Sequence, residues 1–215
     1  MRCFRKTLFA LTAVIIFGLL PALVKADTIT FEADAPGLRP SGFQSVQSSL
    51  VTISDSLGED ILLDNFSPQS IGNGIALTSF ATSAFVLDFS VNVNFLSLDF
   101  GNDDACCMES GATAVLEVFL NGTLVGTSEV PVNLNDLMDQ TIVFSMDGVV
   151  FNRAIFRFQQ SVGTPGATEI IDNINFTPAS EPIPEPTSIL LLGTGVATIA
   201  IRVRAKRRSR VGGAS

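Results

Sequence analysis

The chain of 215 residues contains no histidine, no tryptophan and no tyrosine. Without histidine it cannot build a Ser-His-Asp or Cys-His catalytic site, or a histidine-ligated metal centre. Without tryptophan and tyrosine it lacks the aromatic rings on which sugar rings usually stack in carbohydrate-binding β-sandwich proteins. Phenylalanine offers only an apolar surface for such stacking. No glycine-rich phosphate loop precedes a helix either. These absences argue against an enzyme and against nucleotide binding.

Basic residues are scarce between positions 27 and 201. This stretch has only Arg39, Arg153 and Arg157 against all 21 acidic residues, a formal charge of −18. The other ten basic residues lie at the two ends of the chain. Because so negative a surface repels phosphate backbones, nucleic acid is not an expected partner.

Residues 1–26 have the pattern of a secretory signal peptide. Arg2, Arg5 and Lys6 precede the apolar run TLFALTAVIIFGLLPALV, and Val24 and Ala26 occupy the small-residue positions before a cleavage point. The alternative is an N-terminal anchor that is not cleaved. In both cases the residues from 27 onward are exported.

Three cysteines are present, and Cys3 belongs to the signal peptide. Cys106 and Cys107 are adjacent in a region that meets oxidising conditions after export. Adjacent cysteines can form a strained local ring, pair between molecules or stay reduced. We favour a local or intermolecular disulfide over a metal site, because two thiols without histidine make a poor zinc site.

Residues 27–177 consist of short β-type segments separated by Gly, Asn, Asp, Ser and Pro, without helical periodicity. Asn121-Gly122 and Asp147-Gly148 each predict a two-residue hairpin turn. The pattern predicts an all-β domain of two antiparallel sheets, a jelly-roll-like β-sandwich with a phenylalanine core. A signal helix and a single transmembrane helix would flank it. The candidate strands cover residues 28–31, 50–53, 60–66, 74–80, 84–90, 93–101, 114–120, 123–130, 140–146, 154–160 and 169–176.

Asp172 breaks the pattern of its strand, EIIDNINF. It shares its parity with Ile170, Ile174 and Phe176, so its carboxylate is expected to point inward and to need a partner. One interpretation is a Ca²⁺ ligand, with Glu32 as co-ligand if the first and last strands are neighbours. The other places Asp172 near the sheet end, accepting backbone N–H groups or pairing with Arg153 or Arg157.

The loop GNDDACCMESG is a second candidate for Ca²⁺ through Asp103, Asp104 and Glu109, although we favour the simpler interpretation of a solvated acidic loop. Carboxylate pairs could also serve glycoside hydrolysis, but with so many acidic residues no single pair stands out. The glycosylation sequons at Asn65, Asn121 and Asn175 are interpreted as chance.

The C-terminal part has three successive segments. Residues 178–186 form a proline-rich linker that cannot continue a sheet. Residues 187–201 carry no charge and would span about 22 Å as a helix, against a hydrocarbon core of about 30 Å. A basic cytoplasmic tail over 202–215 places the body outside the membrane. Its basic cluster comprises Arg202, Arg204, Lys206, Arg207, Arg208 and Arg210.

Pro184, Glu185 and Pro186, followed by the short apolar segment and the basic cluster, resemble the PEP-CTERM sorting signal of exported proteins. Such proteins occur in Gram-negative bacteria that make extracellular polysaccharide. The resemblance implies recognition and cleavage by an exosortase, a membrane-embedded enzyme similar to cysteine transpeptidases. It also implies anchoring in the inner membrane with the body outside, followed by transfer to the cell surface or the extracellular matrix.

The body also resembles the β-sandwich ectodomains of such proteins, through FLSLDFGND, VFLNGTLVG and EIIDNINFT. This similarity implies a lectin-like or matrix-associated module. We therefore expect a non-enzymatic exported protein that is associated with extracellular polysaccharide and needs no cofactor except a possible structural Ca²⁺. The alternatives are a calcium-stabilised carbohydrate-binding module and a carboxylate-based glycosidase.

Overall fold

The computed structural model describes residues 25–70, 72–78, 83–102, 109–135, 137–160 and 169–179. Within these ranges, no helix has the length and apolar character needed to cross a membrane. The apolar run of the signal peptide, the Pro-Glu-Pro motif, the 187–201 segment and the basic tail lie outside the described residues. The chain divides between Ala179 and Ser180 into two compact units, and the described residues all belong to the first unit.

The described residues form eleven β-strands, which confirms the all-β prediction. In chain order they are β1 (Asp27–Ile29), β2 (Gly37–Arg39), β3 (Val51–Asp55), β4 (Ile61–Asn65), β5 (Asn73–Leu77), β6 (Phe85–Asn102), β7 (Thr113–Leu120), β8 (Thr123–Pro131), β9 (Gln140–Ser145), β10 (Phe151–Gln159) and β11 (Glu169–Pro178). Every pairing between them is antiparallel.

The 18-residue strand β6 connects two sheets. Its first half pairs with β3 and β10, and the sheet continues through β7 to β8. Its second half pairs with β9 and β11, and that sheet continues through β5 and β4 to β2. The predicted strands 84–90 and 93–101 are therefore one strand that passes from one sheet into the other.

Phenylalanine rings from the two sheets meet in the core. Phe89 of the first sheet lies 5.1 Å from Phe176 of the second, measured between ring centroids. Phe151 meets Phe144 at 5.5 Å, and Phe156 meets Phe100 at 5.4 Å. Face-to-face packing of two antiparallel sheets over such a core is a β-sandwich. The predicted phenylalanine-filled sandwich is thus present, while its jelly-roll type stays a prediction.

One of the two predicted hairpins is correct. Asn121 and Gly122 have φ angles of 50° and 83° and join β7 to β8, which pair with each other. Asp147 and Gly148 lie in a turn, but β9 and β10 both run along β6 and do not pair with each other. The second hairpin prediction was wrong because β6 is long enough to accept both strands end to end.

The first and last strands are neighbours. In β1 and β11, Asp27 lies opposite Phe176 and Ile29 lies opposite Ile174. Since the two strands are antiparallel, the chain enters and leaves the sandwich at the same end. This arrangement meets the condition set for pairing Glu32 with Asp172.

Candidate functional site

Glu32, Asp99 and Asp172 form a group of carboxylates, called here the outer acid cluster, on the solvent side of the second sheet. Glu32 follows β1, Asp99 lies in β6, and Asp172 lies in β11 directly opposite Asp99. Strand β1 pairs with β11, and Glu32, which follows β1, is close enough to influence Asp172 electrostatically. The two residues predicted as calcium co-ligands are therefore neighbours.

Asp172 does not point into the core, contrary to the prediction. Strand β11 has a bulge at Asn173, where φ is 48°. Asp172 lies opposite Asp99 and Asn175 lies opposite Ser97, so β11 has one more residue than β6 over this stretch. The extra residue reverses the alternation, so Ile171 and Ile174 face the core while Asp172 faces outward. The prediction assumed that side chains alternate without interruption through Asn173, and it therefore assigned Asp172 to the wrong face.

Asp172 is nevertheless buried, with only 5% of its surface exposed. This burial raises the pKa of Asp172 to about 7, and the negative charges of Asp99 and Glu32 raise it further, against the lowering effect of the Asn173 N–H. The Asn173 amide donates to Asp172 Oδ1 at 2.6 Å. The alternative that Asp172 accepts a backbone N–H is thus correct.

Neither arginine of β10 partners Asp172. Arg153 forms a bidentate ion pair with Asp88, with Nε donating to Oδ1 at 2.5 Å and Nη2 to Oδ2 at 3.0 Å. This hydrogen-bonded pair raises the pKa of Arg153 above its ordinary value. Arg157 lies 3.6 Å from Glu117. Both pairs are on the outer face of the first sheet, so the predicted pairing of Asp172 with Arg153 or Arg157 was wrong.

Amides and a hydroxyl hold the other two carboxylates. The Asn73 N–H donates to Glu32 Oε1 at 2.8 Å. Asp99 accepts from the Thr141 hydroxyl at 2.5 Å and from the Asn173 side-chain amide at 2.9 Å. These donors fix the orientation of the carboxylates without neutralising them, because each donor is uncharged.

Backbone geometry around the cluster is unusual at three positions. Phe31, directly before Glu32, has a φ of 57°, and Asn173, directly after Asp172, has a φ of 48°. Gly72 has a φ of 100°, and a Cβ built on it would lie 1.8 Å from Glu32 Oε1. Positive φ at a buried phenylalanine is rare and concentrates at functional sites. Gly72 is required here because the Glu32 carboxylate occupies the space of its missing side chain.

Carboxylate oxygens are the ligands that Ca²⁺ prefers, and the negative charges of Asp99 and Glu32 both act on Asp172. The side chains are not arranged as a closed ligand set, since no group of three or more acidic or cysteine side chains among the described residues is placed to hold a metal. A cation at Glu32 and Asp172 would therefore need backbone or amide oxygens to complete its coordination.

A second pair of buried carboxylates, which was not predicted from the sequence, is called here the interior acid pair. Asp55 at the end of β3 and Glu169 at the start of β11 are 3% and 4% exposed. Burial raises the pKa of Glu169 to about 7, and the negative charge of Asp55 adds to this effect. Alternation within β3 could have identified Asp55, which follows the buried residues Val51 and Ile53 at the same parity.

The other predicted site residues lie outside the described part of the chain, except for one. Cys106, Cys107, Asp103 and Asp104 belong to the 103–108 loop, and the sorting-motif residues follow Ala179. Glu109 is described, and its backbone N–H donates to the Gln160 side chain at 3.0 Å. The acidic-loop and disulfide proposals therefore stay predictions.

Residues 182–208 match the family model of the PEP-CTERM protein-sorting motif. The match includes Pro184, Glu185 and Pro186 and most of the basic cluster, and it ends before Arg210. The chain thus carries the sorting motif that its sequence resembled. The motif implies an exported, cell-surface protein that an exosortase sorts and processes. No curated protein matches the chain.

Several solved structures are similar to this chain. The K2 cleaved adhesin domain of Lys-gingipain has a TM-score of 0.43 and 15% identity, with 72% of this chain and 98% of that chain covered. The cellulose-specific carbohydrate-binding module CBM28 has a TM-score of 0.34 and 18% identity, covering 55% and 82%. An arabinose-bound GH51 α-L-arabinofuranosidase has a TM-score of 0.44 and 12% identity, and 72% of this chain spans only 27% of it. Similarities of this size carry no argument about ligands.

Proposed function

We propose that the chain is a non-enzymatic β-sandwich protein that is exported, processed at its C-terminal sorting motif and retained with extracellular polysaccharide outside the cell. The observation that carries the proposal is the motif over 182–208, with its Pro-Glu-Pro residues, apolar segment and arginines in order. The signal-peptide pattern of residues 1–26 at the other end of the chain supports export independently.

The topology of the sandwich suits a body that is held at a membrane before processing. Asp27 pairs with Phe176, so residue 26, the predicted cleavage point, and the start of the linker leave from the same end of the sandwich. The linker over residues 178–186 is short and proline-rich, so its reach is limited to about 3.1 Å per residue in an extended conformation. Because the last described strand ends at Pro178, the body can complete its fold while its C-terminal segment remains in the bilayer.

A calcium-stabilised carbohydrate-binding module is the second candidate. The specific observation that favours it is the outer acid cluster, in which the negative charge of Glu32 acts on the buried carboxylate of Asp172. Ca²⁺ would be held by these carboxylates together with amide or carbonyl oxygens nearby, and it would stabilise the contact between the first and last strands.

Two measurements separate these proposals. The protein purified from its host is sedimented with the extracellular polysaccharide of the same host, with and without chelator, and is assayed for polysaccharide hydrolysis. Co-sedimentation without hydrolysis supports the matrix protein, and chelator-sensitive binding supports the carbohydrate-binding module. Chain shortening of the polysaccharide would contradict the non-enzymatic assignment, and absence of the protein from the pellet would contradict the association with polysaccharide.

A further inference from the structure

Glu169 joins the two sheets of the sandwich through a hydrogen bond. It is the first residue of β11 in the second sheet, yet its Oε1 accepts the backbone N–H of Phe158, in β10 of the first sheet, at 3.2 Å. The side chain shares the core-facing side of β11 with Ile171. Glu169 therefore spans the interior at one end of the sandwich, and we call this contact the Glu169 clasp.

The surroundings of Glu169 are apolar on one side and acidic on the other. The ring of Phe158 lies 6.0 Å from that of Phe100 and 5.7 Å from that of Phe156, between centroids, so the clasp lies beside the phenylalanine core. Asp55 is the carboxylate whose charge acts on Glu169 from the first sheet. The Leu57 N–H donates to Asp55 Oδ1 at 2.6 Å.

Among the described residues, the charged groups of β6 and β10 lie on the outer faces of the sheets, away from the clasp. In β6, Asp88 pairs with Arg153 and Asp99 binds Asn173 and Thr141 on the outer faces. Arg157 of β10 lies beside Glu117 of β7, also outside. Strand β5 has no titratable side chain, and Glu109 lies next to Gln160 at the end of β10. Arg39 lies over the Phe43 ring at 5.7 Å.

We propose that the Glu169 clasp is an acid-stabilised device, which holds the two sheets together while Glu169 is protonated and loosens this end of the sandwich when Glu169 ionises. A protonated carboxyl keeps a carbonyl oxygen that accepts the Phe158 N–H, and it places no second charge in the interior beside Asp55. An ionised Glu169 keeps that hydrogen bond but adds a buried negative charge facing another carboxylate.

The sign of the pH effect follows from the raised pKa of Glu169. In the unfolded chain Glu169 ionises near its ordinary pKa of about 4.5, and in the folded chain only near 7. The stabilisation by the bound proton is therefore complete below the unfolded pKa and is lost as the pH rises through about 7. Between pH 6 and pH 8 the ionisation of Glu169 should shift the folding equilibrium about tenfold towards the unfolded state.

The test compares the full-length chain with its E169Q and E129Q variants by thermal and denaturant unfolding from pH 5 to pH 8 in chelator. The neutral amide introduced by E169Q mimics the protonated clasp, and Glu129 is an exposed residue of the first sheet that serves as the matched control. We expect the wild type and E129Q to lose stability in parallel as the pH rises. Between pH 6 and pH 8 the folding equilibrium constant of E169Q should fall about tenfold less than that of the wild type. A pH dependence of E169Q equal to that of the wild type would overturn the proposal.

Hydrogen exchange keeps the proposal testable if E169Q does not fold. The protection factor of the Phe158 amide in the wild type, which corrects for the intrinsic pH dependence of exchange, should fall about tenfold between pH 6 and pH 8. The amide of Val118, in the middle of β7, is expected to exchange through unfolding of the whole sandwich, so its protection factor should exceed that of the Phe158 amide at each pH and should follow the global unfolding free energy. A protection factor of the Phe158 amide that stays unchanged between pH 6 and pH 8 would contradict the proposal.

Discussion

Two buried carboxylates of β11, Glu169 and Asp172, have pKa values raised to about 7, but they lie on opposite sides of the same sheet. Glu169 faces the interior and touches the backbone of the other sheet. Asp172 faces outward, because the bulge at Asn173 turns it towards Asp99 and Glu32. Burial is the main cause of both shifts, so a raised pKa alone does not distinguish a structural carboxyl from a binding site.

The neighbours of each carboxylate make the distinction. Among the described residues, Glu169 has Asp55 as its acidic neighbour and a phenylalanine cluster beside it, which favours neutralisation by a proton. Asp172 has two acidic neighbours near the surface, at the strands where the chain enters and leaves, which favours neutralisation by a cation from solution. Selective perturbations of the two positions therefore test the account.

The largest effect is expected from Phe158→Ala. Removing a ring packed against Phe100 and Phe156 should cost about 3 kcal/mol of unfolding free energy, measured by denaturant titration. Because water then reaches Glu169, its pKa should fall towards its ordinary value while that of Asp172 stays near 7. Carboxyl NMR titration measures both, and an equal fall at the two residues would show that they share one environment.

Addition of Ca²⁺ at pH 8 should have the next largest effect. A site specific for the folded state raises stability by about 2.7 kcal/mol at a hundredfold excess over the dissociation constant. The gain in melting temperature should disappear in D172N and E32Q and persist in E169Q, which is the matched control on the same strand. A melting temperature that chelator and Asp172→Ala both leave unchanged would remove the calcium proposal.

The pH dependence of D172N should show a smaller effect. The raised pKa of Asp172 means that its stabilisation is present below the unfolded pKa of about 3.8 and is lost as the pH rises through about 7. In chelator, D172N should therefore match the wild type near pH 4 and exceed its stability at pH 8. Between pH 6 and pH 8 the difference in stability should grow by about 1 kcal/mol. Identical curves for D172N and wild type would place the ionisation elsewhere.

The smallest effect is expected from Asp88→Asn. The Arg153–Asp88 pair is bidentate but about half exposed, and exposed pairs contribute between about 0 and 1 kcal/mol. The loss should decrease with added salt and should not alter the titration of Glu169 or Asp172. A loss above about 2 kcal/mol would mean that the outer face of the first sheet is energetically coupled to the core.

Much of this fold could be predicted from local sequence. The Asn121-Gly122 turn was predictable because few residue pairs tolerate positive φ at both positions, and the alternation of Leu116 and Val118 with Glu117 fixed the faces of β7. The proximity of Glu32 and Asp172 was predicted only as a condition, because strand adjacency is a non-local property that no short segment encodes.

The errors have physical causes of the same kind. The bulge at Asn173 depends on how β11 is matched to β6, and the end-to-end placement of β9 and β10 depends on the length of β6. The interior position of Glu169 was not recognised because it begins its strand, where alternation has no preceding residue to compare. The local sequence pattern determines which side chains of a strand share a face of the sheet. The neighbouring strands determine where a bulge interrupts that alternation.

The assignment of the chain as an exported protein processed by an exosortase is tested most directly by mass spectrometry of the mature protein. The host that carries the exosortase should yield a protein that lacks residues 1–26 and the segment from about residue 187 onward. The same host without the exosortase should retain the C-terminal segment. A mature protein that still extends to Ser215 in the presence of the exosortase would contradict the assignment.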